Sequence, residues 1–329
     1  MLGGLARRVA LAEKARTVKQ SLLVVDSGDL FFAPYSGADA ERKLVKARLI
    51  SRAYQRMGTS AINVGDLDLL QGVEFLRDEF SKGLPLISAN LLDPSTKAPI
   101  FPPYVIREVA GVRVAFSGLL NPESAPDVGV VVKNANEGKI FIQDPFEAAR
   151  ETLQKLKGQA DLVILLSDLG LHKDQMLAKA VSGIHFILGG HEGRYMGKPQ
   201  QMGNTHILQS SVKGMYVGRL RLIVGDTASP FSDGGEVQHI QDRINALDFH
   251  LRSLQQAKQQ LAYQNPENLD RSIQEVTKQR RALQDQLMRM KDSASQGNRF
   301  FFNLEPIEAK HSEDDEVRKW IAEAGIEKD

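Results

Sequence analysis

Four residues that could hold a cation stand at or just beyond the ends of apolar runs. Asp29 follows SLLVVD (21–26), Asp66 follows SAINV (60–64), Asp168 closes DLVILLSD (161–168) and His191 closes the run IHFILGGH (184–191). A buried strand has no packing reason to finish repeatedly in a polar, potentially ligating side chain. In open α/β sheets, ligands bind beyond the carboxyl ends of the strands. If these runs are strands of one fold, three carboxylates and one imidazole converge on one rim. The chain has no cysteine, so disulfides, thiolate catalysis and Cys-type zinc sites are excluded.

The elements that must position these residues are legible as a helix–strand alternation. Helical patterns cover 3–19, 39–57, 144–157 and 173–182. Extended, mostly apolar runs cover 21–26, 60–64, 84–88, 112–118, 161–168, 184–191, 206–210 and 216–224. This alternation predicts a layered α/β domain over 1–225. The turn-rich segment 226–236 reads as a linker. Ile240, Ile244, Leu247, Leu251, Leu254 and Leu261 then follow a 4-3 spacing broken near Lys258. Leu269, Ile273, Val276, Leu283, Leu287 and Met290 repeat it, broken at Arg280. Gln264-Asn265-Pro266-Glu267 separates the runs, with Asn265 suited to an N-cap and Pro266 to the first helical position. The segment 237–292 therefore reads as two helices folded back as an antiparallel coiled coil. The tail, 293–329, reads as a strand (299–309) and a short amphipathic helix (314–324) anchored by Trp320.

Composition narrows the function. A formal net charge of +1 supplies no global field for nucleic acid or anionic membranes, and no basic stretch is interleaved with aromatics. No apolar run approaches a membrane span. The opening MLGGLARRVALAEKAR has no apolar signal core, so the chain reads as soluble and without an export signal.

The ordered set GGLARR (3–8), VVDSGDLF (24–31), NVGDLDLLQG (63–72), SANLLD (88–93), ILLSDLG (164–170), ILGGHEG (187–193) and ILQSSVKGMYVGRLRL (207–222) resembles the catalytic domain of the bacterial 5′-nucleotidase and UDP-sugar hydrolase (UshA-like) family. Those proteins are calcineurin-like metallophosphoesterases, some of them selenoproteins. The resemblance covers roughly 1–225 and implies an αββα sandwich, here with an appended antiparallel helical hairpin. It implies that Asp29 is the bridging carboxylate of a two-metal site. Asp66 stands where the family has a ligating Asn, Asp168 where it has a ligating His, and His191 where it has the same His. Leu67 replaces the catalytic His, so no catalytic residue is assigned. Gly193 replaces a second ligating His, and the family's opening Asp-x-His motif has no counterpart in the chain.

The resemblance thus implies one divalent ion on Asp29, Asp66, Asp168 and His191, with the second metal position unsupported. Three carboxylates and one imidazole favour Mn, Mg or Ca over Zn. Asn90 and His206 are the expected substrate-facing residues. Arg7 and Arg8 are expected on a solvated helix face. The implied activity is metal-dependent hydrolysis of phosphomonoesters or nucleotides, hence a place in nucleotide catabolism. The alternative is an inactive phosphoesterase scaffold that uses 237–292 for dimerisation or partner binding. A periplasmic or extracytoplasmic setting is implied if an upstream segment carries the missing motif and a signal.

Overall fold

The computed structural model describes residues 4–18, 21–33, 40–123, 126–211, 214–227, 229–260, 266–294 and 297–326. The chain begins with α1 (Leu5–Thr17), β1 (Val25–Asp26), α2 (Ala40–Arg56), β2 (Ala61–Asn63), α3 (Val73–Phe80) and β3 (Leu86–Ile87). It continues through β4 (Leu91–Leu92), β5 (Tyr104–Val109), β6 (Val112–Leu120), α4 (Pro126–Ala135), β7 (Phe141–Ile142) and α5 (Pro145–Leu156). Next come β8 (Leu162–Asp168), α6 (Leu171–Ala180), β9 (Phe186–Gly189), β10 (Gln200–Met202), β11 (Thr205–Gln209) and β12 (Tyr216–Ile223). The last elements are β13 (Phe231–Asp233), α7 (Gly234–Gln260), α8 (Pro266–Ala294), β14 (Asn298–Pro306) and α9 (Asp315–Glu323).

Two compact units result. The first is Met1–Gly218 with Asn303–Asp329, and the second is Arg219–Phe302. In the first unit, β1, β2 and β3 form a parallel sheet, and a six-stranded sheet runs β10-β11-β9-β8-β6-β5. Strands β6, β8, β9 and β11 are mutually parallel, with antiparallel β5 and β10 at the edges. Apolar side chains of α1, α2, α3 and α9 pack on the smaller sheet in one cluster, which includes Val9, Tyr54, Leu76, Val317 and Ile62. A second cluster joins Ala148, Ala149, Leu177 and Ala178 of α5 and α6 to Leu165, Ile187 and Ile207. The layers are therefore helix, sheet, sheet, helix, as the family resemblance implies. The Asn63 amide ties them together, donating to Ser27 O and Leu119 O, both at 3.0 Å.

Local chemistry sets several element ends. Asp144 caps α5, accepting from Phe146 N and Glu147 N at 2.9 Å, with Pro145 at the first helical position. Asp314 caps α9 through Val317 N at 2.9 Å and also pairs with Arg56 of α2 at 2.9 Å. The Trp320 ring is buried under the Arg52 guanidinium, 3.7 Å from its centroid, so it is the packing anchor expected of it.

Sequence and structure part in places. The runs 21–26, 60–64 and 84–88 shorten to two or three residues of ladder each. Strand β5 was unanticipated. It forms a hairpin with β6 through Ala110 and Gly111, both in the left-handed region (φ 51° and 77°), the geometry of a two-residue turn. The segment read as a linker, 226–236, contains β13 and the first turn of α7.

Within the second unit, Phe231, Ser232 and Asp233 of β13 pair in parallel with Asn298, Arg299 and Phe300 of β14. Helices α7 and α8 form an antiparallel hairpin. Ile240 and Ile244 pack on Leu287, while Asp248 meets Arg280 at 2.9 Å and Lys258 meets Asp270. The two breaks in the apolar spacing, Lys258 and Arg280, are thus each matched by a carboxylate from the opposite helix. Leu261, Gln264 and Asn265 lie outside the described residues. No helix among the described residues is long and apolar enough to cross a membrane.

Replacing Trp320 by Ala is expected to cost about 3 kcal/mol, because it empties the contact between α9 and its neighbours. Urea denaturation of the Trp320→Ala protein checks this, and a loss below about 1 kcal/mol would contradict the anchoring role.

Candidate metal centre

The three-stranded and six-stranded sheets of the first unit deliver their strand ends to one place. Asp29 lies three residues past β1, Asp66 three past β2, Asp168 ends β8, and His191 lies two past β9. One potential ligand atom from each of these four residues lies within 4.8 Å of the others. The sequence set converges. His191 Nδ1 is 3.4 Å from Asp168 Oδ1, and that oxygen is buried with no hydrogen-bond donor among the described residues.

Backbone geometry holds the quartet in place. Asp29 and His191 both occupy the left-handed region, at φ 57° and 60°. Non-glycine residues rarely adopt it, and it concentrates at functional sites. The Asp29 loop lies against the loop after β2 so closely that a Cβ on Gly65 would fall 2.6 Å from Asp29 N. Leu67 N donates to Asp29 Oδ1 at 3.0 Å, and Asp66 N donates to Asp168 Oδ2 at 3.1 Å. Position 67 thus contributes its backbone to the site.

A residue that the sequence did not single out does most of the fastening. Asp68 is buried and accepts four backbone N–H groups. Asp29 N and Gly65 N reach its Oδ2 at 3.0 Å each, and Leu30 N and Phe31 N reach its Oδ1 at 2.8 and 3.0 Å. Its only sequence signal was membership of Gly-Asp-Leu-Asp. Behind the same loop, Tyr54 OH donates to Asp26 Oδ2 at 2.6 Å and accepts from Arg8 at 2.6 Å, while Gly28 N donates to Asp26 Oδ1. Arg8 is therefore part of a buried network, which corrects the solvated-face expectation. Arg7 pairs with Glu313 at 2.8 Å.

Asn90 does not line a cleft. It is fully buried, its amide donates to Leu120 O and Gln143 O, and its carbonyl accepts from Leu120 N at 2.9 Å. Every polar atom of that side chain is engaged by backbone, which corrects the substrate-facing expectation. His206 is buried in β11 with its ring stacked on Phe186, 5.6 Å between centroids. Neither belongs to the quartet.

Crowded carboxylates in a pocket hold protons tightly. Burial, then the charges of Asp168, Asp68 and Asp66, push Asp29 well above the usual carboxylate range. Burial and the Asp66 charge do the same to Asp168. Burial raises Asp68 to about 6 against the pull of its N–H donors, and raises Asp174, behind the site in α6, to about 7. A divalent cation is the natural counter-charge for such a set. The all-oxygen-plus-imidazole donors, the undonated Asp168 Oδ1 and the strained approach of Asp29 and His191 fit one.

No established family profile matches the chain. It is 26% identical over 303 residues to a trifunctional nucleotide phosphoesterase, YfkN, of Bacillus subtilis, covering 78% of this chain and 19% of that protein. It is 25% identical over 199 residues to a 2′,3′-cyclic-nucleotide 2′-phosphodiesterase/3′-nucleotidase of Salmonella typhimurium, covering 56% of this chain and 30% of that protein. The crystal structure of the calcineurin-like phosphoesterase YfkN superposes with a TM-score of 0.63 at 18% identity, over 98% of this chain and 88% of the other. The chain is related to the 5′-nucleotidase (UshA-like) family of calcineurin-like metallophosphoesterases. It spans a third or less of the length of these two curated relatives. The metallophosphoesterase fold explains why the quartet sits where the two sheets meet.

Asp68→Asn leaves an amide NH₂ facing backbone donors and is expected to destabilise the first unit by about 1–3 kcal/mol, measured by thermal or urea unfolding. A second expectation concerns pH. Each raised carboxyl binds its proton more tightly folded than unfolded. Its contribution to stability is complete below about pH 4 and is lost as pH rises through the folded value. With Asp68 near 6 and Asp174 near 7, the metal-free protein should melt at progressively lower temperature from about pH 5 to pH 8. Millimolar Mn²⁺ should restore more stability at pH 8 than at pH 5, and a pH-independent melting temperature would contradict this.

Proposed function

We propose that the first unit is a metal-dependent phosphoester hydrolase acting on phosphomonoesters or nucleotides, with one divalent ion held by Asp29, Asp66, Asp168 and His191. The convergence of these four side chains carries the reading. Its support from relatives is that proteins named as nucleotide phosphoesterases and nucleotidases share a quarter of their aligned residues with this chain. The donor set favours Mn, Mg or Ca. A divalent ion at this position supplies Lewis acidity at a phosphoryl oxygen and a water acidic enough to attack near neutral pH.

The chain's own groups set the limits of the chemistry. Leu67 N holds Asp29, and Asp66 N holds Asp168, so the carboxylates are oriented before any ligand arrives. The Leu67 side chain can neither donate a proton nor bind phosphate. The leaving oxygen departs without acid assistance from that position, which favours esters of acidic alcohols such as aryl phosphates over alkyl monoesters. With Gly193 in place of a ligating side chain, the site is that of one ion. An extracytoplasmic setting belongs to the same reading and rests on the family relationship. The hairpin 237–292 is read as a coiled coil open to a second copy of the chain, since Phe249 and Met288 stand exposed off its apolar seam.

Purified protein with Mn²⁺ is expected to hydrolyse p-nitrophenyl phosphate, and Asp29→Asn should lower kcat/KM by at least about 100-fold, beyond the effect of an outer-shell substitution. Absence of turnover with Mn²⁺, Mg²⁺ and Ca²⁺ alike, together with absence of ion binding by calorimetry, would overturn the reading.

A further inference from the structure

Beneath the quartet, on the opposite face of the six-stranded sheet, lies a buried polar group that the proposed chemistry does not use. Ser167, Gly189 and Gln209 occupy one row across β8, β9 and β11, paired as Ser167 with Gly189 and Gly189 with Gln209. Successive residues of a strand point to opposite faces, so Ser167 points away from the side that Asp168 serves. Helix α6 covers this row. Asp174, fully buried in its first turn, accepts from Ser167 Oγ at 2.5 Å. Ser167 Oγ in turn accepts from Leu169 N at 3.2 Å, and Asp174 N donates to Gly170 O at 3.0 Å. The Asp174 carboxylate therefore holds the Ser167 hydroxyl, and that hydroxyl in turn holds the Leu169 amide on the far side of Asp168.

Gly189 makes that fastening possible. A Cβ there would fall 2.8 Å from Asp174 Oδ2 and 2.9 Å from Gln209 Nε2. Any side chain at 189 would force Asp174 away from Ser167. Asp174 Oδ2 and both polar atoms of the buried Gln209 amide have no hydrogen-bond partner among the described residues. Leaving such atoms unsatisfied costs stability, so the arrangement is retained at a cost to the fold. It is the kind of constraint that orients a ligating side chain from behind.

We propose that Asp174 is a positioning residue. Through Ser167 it fixes the turn that presents Asp168, and so sets the affinity of the quartet for its cation, with Gly189 as the clearance that admits it. This rests on the single-ion reading of Asp29, Asp66, Asp168 and His191.

The test is Mn²⁺ binding by isothermal calorimetry, with hydrogen exchange of the Leu169 amide, on the full chain. Asp174→Ala, Ser167→Ala and Gly189→Ala should each weaken Mn²⁺ binding by about tenfold or more while the proteins stay folded at the assay temperature. Leu169 exchange should quicken in each, with or without Mn²⁺. Asp174→Asn, whose carbonyl oxygen still accepts from Ser167, should restore both properties. If Asp174→Ala is folded and binds Mn²⁺ as the unaltered protein does, or if Leu169 exchange is unchanged, the proposal is overturned. Failure of the unaltered protein to bind Mn²⁺ defeats the single-ion reading instead, and is distinguished by all proteins being equally silent. Should the three alanine variants unfold, exchange in folded Asp174→Asn decides: protection at Leu169 equal to the unaltered protein supports the contact, and its loss refutes it.

Discussion

Carboxylates gathered into a pocket repel each other and give up hydration, and the first unit is arranged around that cost. Asp29, Asp66 and Asp168 come within reach of a common point because oriented backbone N–H groups hold two of them from behind. Leu67 N serves Asp29, and Asp66 N serves Asp168. Hydrogen bonds to charged groups are worth about 1.5–3 kcal/mol each. They offset part of the cost of burial and of the repulsion without removing either, so Asp29 and Asp168 remain raised well above the usual carboxylate range, by burial first and by neighbouring charges second. What is left over is affinity for a cation, since an ion removes the repulsion and desolvates little that was not already buried.

A second rank of carboxylates makes the first possible. Asp68 gathers four N–H groups from two loops that start on different strands, Asp26 locks the turn before Asp29, and Asp174 staples the turn around Asp168. None of the three is among the candidate ligands. Asp68 and Asp26 satisfy backbone donors that irregular loops would otherwise leave unpaired, while Asp174 accepts from the Ser167 hydroxyl. The arrangement explains how two aspartate- and histidine-bearing turns are held in left-handed conformations without glycine at Asp29 and His191.

The second unit follows a different logic. Its hairpin carries Lys258, exposed, and Arg280, half-buried, each paired with an aspartate from the opposite helix. Exposed ion pairs contribute little to stability, so the hairpin is held mainly by the contact of Ile240 and Ile244 with Leu287.

The quartet was legible in the sequence because each member is a local event: an apolar run interrupted by a ligating side chain, in an order that a family shares. The hairpin was legible for the same reason, since a 4-3 apolar spacing is a local property of a helix. The roles of Asp68, Asp174 and Arg8 were not legible, because their partners lie in other loops and nothing near them in sequence marks the contact. Asn90 was misread because a buried amide satisfied by Leu120 and Gln143 looks, along the chain, like one waiting for a ligand. The Ala110-Gly111 turn escaped notice because alanine rarely takes positive φ, and only the pairing of β5 with β6 holds it there. Sequence alone determined which side chains could bind an ion. The tertiary structure decided which of them share a pocket and what holds them there, since those contacts run through backbone groups whose positions are set only when the sheets pack.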